Sequence, residues 1–249
     1  TRRSKMEKRG ALITIEGTDG SGKQTQAKLL LERLTREGTP CEMMSFPRYE
    51  TPTGRIISQC YLGKKRAPED GDVAWFGDAD SVDPLLASLY YAADRYASAP
   101  EMRKILDSGT NLILDRYFQS NLAHQGGKIK DRDERREFFV SIGDIELRGL
   151  KIPDTDKTIF LYMPWEVSLE LRKGRDSADG HESNIEHLKR AEEVYLDLSE
   201  SNTWERIDCA PDRTLSSLLS PEKIHEEVYA AAMRAINWKL GIGDFYLSK

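Results

Sequence analysis

Ala11-Leu12-Ile13-Thr14-Ile15-Glu16 runs straight into Gly17-Thr18-Asp19-Gly20-Ser21-Gly22-Lys23, and then into a segment with Ala27, Leu30, Leu31 and Leu34 on one helical face. The first piece is a near-continuous aliphatic run, the mark of a strand buried on both faces. The second has G-x-x-x-x-G-K spacing between a strand and a helix, the context in which that spacing binds phosphate. Glycines let successive backbone N–H groups turn inward around an anion. The helix N-terminus adds about half a positive charge. Lys23 supplies a full charge for the β- and γ-phosphates. The next residue is Gln24, where the motif expects a Ser or Thr on Mg²⁺. A glutamine carbonyl also ligates hard cations, and Thr25 is adjacent, so the motif alone leaves the metal ligand open.

Outward from this loop, β-type runs recur at Cys41–Phe46, Asn111–Asp115, Thr158–Met163 and Trp204–Cys209. Helical patterns separate them. One spans about Leu85 to Asp107, one carries Ile185, Leu188, Ala191, Tyr195 and Leu198, and one opens at Ser220-Pro221 as N-cap and first-turn proline. Gly38 ends the first helix. Alternating strands and helices predict an α/β fold, a five-stranded parallel sheet covered by helices on both faces. Lys64–Asp83 and Arg172–Ser183 lack apolar periodicity and are expected to be loops at the rim. The acid in the first collects at Glu69–Asp83.

The chain has 249 residues, enough for one sizeable core. Lys and Arg total 37 against 42 Asp and Glu, a net charge of −5, so there is no global attraction to nucleic acid or an anionic membrane. No run approaches the roughly 20 apolar residues of a bilayer span. Cys41, Cys60 and Cys209 are scattered, with no CxxC pair, and read as free thiols of a reducing, cytoplasmic compartment. Residues 1–9 are basic without an apolar core and read as a tail, with a trimmed organelle-targeting end as the lesser reading.

Three further constellations carry chemistry. The run Asn111–Asp115 ends in Asp115-Arg116, at the edge where strand C-termini gather around ligands. Asp115 would lie near a metal or its water shell, and Arg116 would fork onto phosphate oxygens; the plainer reading is an ion pair at a strand end. Tyr91 and Arg95 share a helix face. They suit a planar base with carbonyl oxygens, or ordinary core packing. Arg172-Lys173-Gly174-Arg175 opens the second loop, as a mobile cationic lid for phosphoryl transfer or a solvated charge run. His181, six residues before His187, fits no zinc pattern and is expected to be structural or solvent-facing.

Together these segments resemble the thymidylate kinase family of P-loop nucleoside monophosphate kinases. The resemblance runs from Gly10 to Asn237. It is carried by Glu16 to Gln26, Phe46-Pro47-Arg48-Tyr49, Ala92-Ala93-Asp94-Arg95-Tyr96, Asp115-Arg116-Tyr117 and Ser120 to Gly126. It implies a P-loop NTPase-type three-layer fold with a small lid, ATP and Mg²⁺ as cofactors, dTMP as substrate, and a homodimer. By position, Asp19 matches the acid that meets the sugar 3′-hydroxyl, Tyr91 the ring that stacks on thymine, and Arg95 the arginine that reads its carbonyl. Arg116 matches the arginine that holds the monophosphate. Ser120 and Gln125 fall at polar base contacts, and Phe46-Pro47 precedes a phosphate arginine within one position of Arg48. His124 stands where the family usually has Tyr or Phe beside the deoxyribose. Gly20 stands where some members carry a catalytic arginine, which moves that role to the lid, to Arg175 first and Arg172 second. Another pyrimidine monophosphate such as dUMP is the neighbouring alternative. A regulatory GTPase-like switch would need an N-K-x-D motif on a late strand, and the sequence has none.

Overall fold

The structure, a computed structural model, describes residues 9–65, 74–172 and 185–241. Its centre is a five-stranded sheet of β1 (Leu12–Gly17), β2 (Cys41–Ser45), β3 (Asn111–Asp115), β4 (Lys157–Tyr162) and β5 (Trp204–Asp208). The order is β2-β3-β1-β4-β5, and every neighbouring pair is parallel. The expected strands are all present, each within one residue of its expected start and end.

Side chains alternate across each strand, and this sends them into two layers. Ile13, Ile15, Ile113, Ile159 and Leu161 pack against Ala27, Leu30 and Leu34 of α1 (Lys23–Arg36) and against Val228, Ala231 and Ala232 of α8 (Pro221–Leu240). On the other face, Leu12, Leu112 and Leu114 meet Ala99, Met102 and Leu106 of α3 (Pro84–Asp107) and Leu122 of α4 (Phe118–Gly126). Phe160 continues that layer onto Val194 and Tyr195 of α7 (Ile185–Leu198). Ile13, Ile15, Leu112 and Leu114 are fully buried, and each such side chain contributes about 1.5–3 kcal/mol by leaving water.

The remaining helices are α2 (Pro52–Ile56), α5 (Arg132–Gly143) and α6 (Trp165–Arg172). Two segments have wide π-type turns, Ile57–Tyr61 and Asp144–Gly149. Helix α8 is capped by Ser220 as its sequence predicts, runs past Asn237 to Leu240, and stops at Gly241 in the left-handed conformation (φ 66°). Among the described residues no helix is long and apolar enough to cross a membrane. All three cysteines are free thiols, and burial pushes that of Cys209 up to about 12.

Register positions the site. Ile15 pairs with Asp115, and Asp115 with Ser45, so β1, β3 and β2 end at one level. The phosphate-type loop, the Asp115-Arg116 pair and the Phe46-Pro47 turn leave the sheet side by side.

Candidate active site

The loop after β1 folds as its glycines predict. A Cβ on Gly17 would stand 2.6 Å from the Leu161 carbonyl oxygen, so no other residue fits there. Gly22, the N-cap of α1, has φ 81°, a region that side chains disfavour. Helices α2, α3, α5 and α8 are capped by the side chains of Thr51, Asp83, Asp131 and Ser220. Helix α1 has no side-chain cap and no acid in its first turn. Its first N–H groups and dipole therefore face the loop with no cap or acid of the helix's own to answer them. Ser21 Oγ is buried without a partner, as a hydroxyl awaiting an anion would be. Lys23 Nζ donates to the Gly17 and Thr18 carbonyls at 3.0 and 2.8 Å. Burial, and then the Arg116 charge beside it, lowers its ammonium to about 8.

Arg116 follows β3 with φ 65°, a conformation that costs an ordinary residue about 1–3 kcal/mol and concentrates at functional sites. Its Nη2 donates to Asp19 Oδ1 at 2.8 Å, which joins the phosphate loop to the next strand end. Burial alone would raise the Asp19 carboxyl; Arg116 instead holds it well below the usual carboxylate range. Behind this junction lies Glu16, fully buried. It accepts from Tyr117 N (2.7 Å), Ser120 N (3.2 Å), Ser120 Oγ (2.6 Å) and the Tyr195 hydroxyl (2.9 Å). Glu16 thus caps α4 from the neighbouring strand, and burial pushes its carboxyl up against those donors.

A cleft with a free volume of about 130 Å³ opens against Asp19 and Arg116. Phe46, Pro47, Tyr91, Arg95, Ser120, His124 and Gln125 line it as well. The structure therefore brings together every expected substrate-side residue except Arg48. The Arg48 guanidinium is taken by Glu101 (2.6 Å) and Glu50 (3.3 Å) and lines a second, more open cavity, which it shares with Gln24, Asp115 and Arg116. Several cleft residues already have protein partners. Arg95 is 2% exposed and gives Nε and Nη2 to Glu146 (2.6 and 2.5 Å), which is 0% exposed. Nη1 is the arm left outside this pair. Ser120 is bound to Glu16, and Gln125 Nε2 donates to the Tyr61 hydroxyl at 2.9 Å. Tyr61 in turn makes a T-shaped contact with Tyr91 (5.7 Å, 82°).

Sequence reasoning missed Tyr49, Tyr117, Leu62 and Asn121 as lining residues. Asn121 Nδ2 donates to the Ser88 carbonyl (3.3 Å), while its Oδ1 is buried and unpartnered. Its place inside the quoted Ser120–Gly126 segment was the available signal. Glu146 had none, because it sits in a charged segment 51 residues from Arg95. Of the basic loop, Arg172 is the last residue of α6, and Lys173, Gly174 and Arg175 lie outside the described residues, as does His181.

A glycine-turned loop on an uncapped helix, beside a second strand-end arginine and an aromatic cleft, defines a P-loop nucleotide-binding protein of the α/β class. The comparisons carry this further. The thymidylate kinase family model matches residues 15–215. The thymidylate kinase of Danio rerio is 36% identical over 224 residues, 89% of each chain, and that of Homo sapiens 29% over 233 residues, 92% of each. The solved structure of thymidylate kinase from Candida albicans superposes with a TM-score of 0.63 at 22% identity, over 93% of each chain, and so shares the fold. The chain belongs to the thymidylate kinase family.

Proposed function

We propose that this chain transfers the γ-phosphoryl group of ATP to the 5′-phosphate of dTMP, giving dTDP and ADP. The observation that carries the reading is the 2.8 Å Arg116–Asp19 contact. It makes the phosphate loop one wall of a cleft whose other walls include the Tyr91 ring and the Arg95 side chain. A donor nucleotide on the loop and an acceptor in the cleft would then meet at Arg116.

The acceptor needs no general base. A phosphate monoester with a second pKa of about 6 is a dianion at neutral pH, so its oxygen attacks the γ-phosphorus directly as the bond to the β-bridging oxygen breaks. Catalysis is then positioning and charge stabilisation. The α1 N–H groups, Ser21 and Lys23 hold the triphosphate, Arg116 holds the monophosphate, and Tyr91 stacks on the base. Arg95 Nη1 and Asn121 address its carbonyl and imide edge, with Gln125 and Ser120 fixed behind them. Asp19 receives the 3′-hydroxyl, and His124 sits beside the sugar. Arg175 and Arg172 supply the lid cation. The three unpaired thiols support a reducing compartment, the cytoplasm.

Among the described residues no three His, Cys, Asp or Glu side chains gather as a metal cage. That fits Mg²⁺, which prefers one or two protein oxygens, phosphates and water. Gln24 and Asp115 line the same outer cavity and would hold it. When bound, the ion neutralises charge on the β- and γ-phosphates.

Lys23→Ala tests the assignment. Turnover should fall at least a hundredfold, as when one charge-stabilising donor is lost, with the far-UV spectrum and dTMP affinity retained. An unchanged turnover would remove the phosphate-loop role.

A further inference from the structure

We propose that Asp80 and His187 are positioning residues for Arg116, acting through His124 by a one-way chain of hydrogen bonds. This rests on the reading of Arg116 as the monophosphate-binding arginine. The contacts are Arg116 Nη1 to His124 Nε2 (3.3 Å), His124 Nδ1 to His187 Nε2 (3.2 Å) and His187 Nδ1 to Asp80 Oδ1 (3.3 Å). The two imidazole planes lie within 13° of each other.

The chemistry of the ends fixes the direction. A guanidinium has no acceptor, so His124 Nε2 must offer its lone pair. The neutral ring then carries its proton on Nδ1 and donates to His187 Nε2. His187 in turn carries its proton on Nδ1, facing a carboxylate oxygen of Asp80. The network thus assigns both tautomers. Arg116 is consequently held at both ends, by Asp19 on Nη2 and by His124 on Nη1. Without the second hold, the fork is free to turn fully onto Asp19 and away from an incoming phosphate.

The segment that carries Asp80 is itself fastened. Lys128 Nζ donates to the Ala79 and Val82 carbonyls at 2.6 and 3.2 Å. Residues 79–82, just before α3, are thereby held beside Lys128, two residues past the end of α4, with the Asp80 carboxylate facing His187 of α7.

The test uses the full chain, steady-state rates with dTMP and ATP varied separately, and ¹⁵N spectra of the histidine rings. Asp80→Ala should raise KM for dTMP about tenfold, the lower end of what an outer hydrogen-bond partner contributes, and leave KM for ATP unchanged. It should also convert His124 and His187 from single tautomers to mixtures. Asp80→Asn keeps an acceptor oxygen and should recover the low KM and the single tautomers. Should Asp80→Ala fail to fold, the pair His187→Gln and His187→Leu replaces it: the amide oxygen accepts from His124, so only the leucine variant should show the defect. Arg116→Ala is measured alongside. If it raises KM for dTMP while Asp80→Ala and His187→Leu do not, the positioning chain is refuted alone. If Arg116→Ala has no effect, the reading of Arg116 falls and the chain with it. Equal impairment of Asp80→Asn and Asp80→Ala would also overturn it.

Discussion

Arg95 and Glu146 make the sharpest test of how this cleft is built. The pair is bidentate and almost wholly out of water, with side-chain exposures of 2% and 0%. Removing one partner of such a pair strands a buried charge and costs about 3–5 kcal/mol. For a chain of this length each kcal/mol lowers Tm by about 2–4 °C. Glu146→Ala should therefore melt about 6–20 °C below the parent. The pair as a whole is worth far less than its rupture, because both charges were desolvated to form it. Arg95→Met with Glu146→Leu should therefore recover most of the loss, to within about 2 kcal/mol. The function should not recover, because the base then meets no guanidinium. The assays are calorimetric melting without ligand and titration with dTMP. Glu146→Ala melting with the parent, or the double variant melting with Glu146→Ala, would refute the energetics. Full dTMP affinity in the double variant would refute the recognition role and leave Arg95 a structural residue.

Further outcomes follow from the charges. Lys23 loses its proton at about 8 in the ligand-free protein, so kcat/KM for ATP should be level below that pH and fall about tenfold per unit above it. Bound phosphate favours the ammonium, so kcat should hold to higher pH; a kcat/KM level to pH 10 would contradict this. The Lys23 pKa lies below its ordinary 10.5, so the charged form costs stability below about pH 8, and that cost is relieved as pH rises towards 10.5. Arg175→Ala should depress kcat more than dTMP affinity, whereas a pure KM effect would make it a binding residue only.

The central strands β1, β3 and β4 were legible as short aliphatic runs, because burial on both faces leaves that mark, whereas the edge strands β2 and β5 are half-exposed and were legible from their place between helical patterns. The phosphate loop was legible for a different reason: its chemistry needs glycines and a lysine at fixed local spacing. What stayed hidden depends on contacts between distant segments. Glu146 sits among alternating charges that look solvated, and only the wide turn at Asp144–Gly149 carries it inward to Arg95. His187 reads as one polar residue on an amphipathic helix, yet it is buried between His124 and Asp80. Arg48 follows Phe46-Pro47 as expected, but Glu101, 53 residues on, decides where its guanidinium lies.

The most direct measurement is phosphoryl transfer from ATP to a panel of nucleoside monophosphates, followed product by product. dTDP should form with the highest kcat/KM, dUMP should follow, and dCMP should be poor, because a 4-amino group meets the Arg95 donor instead of a carbonyl. Absence of dTDP, or equal use of dTMP and dCMP, would contradict the proposed reaction and the role given to Arg95.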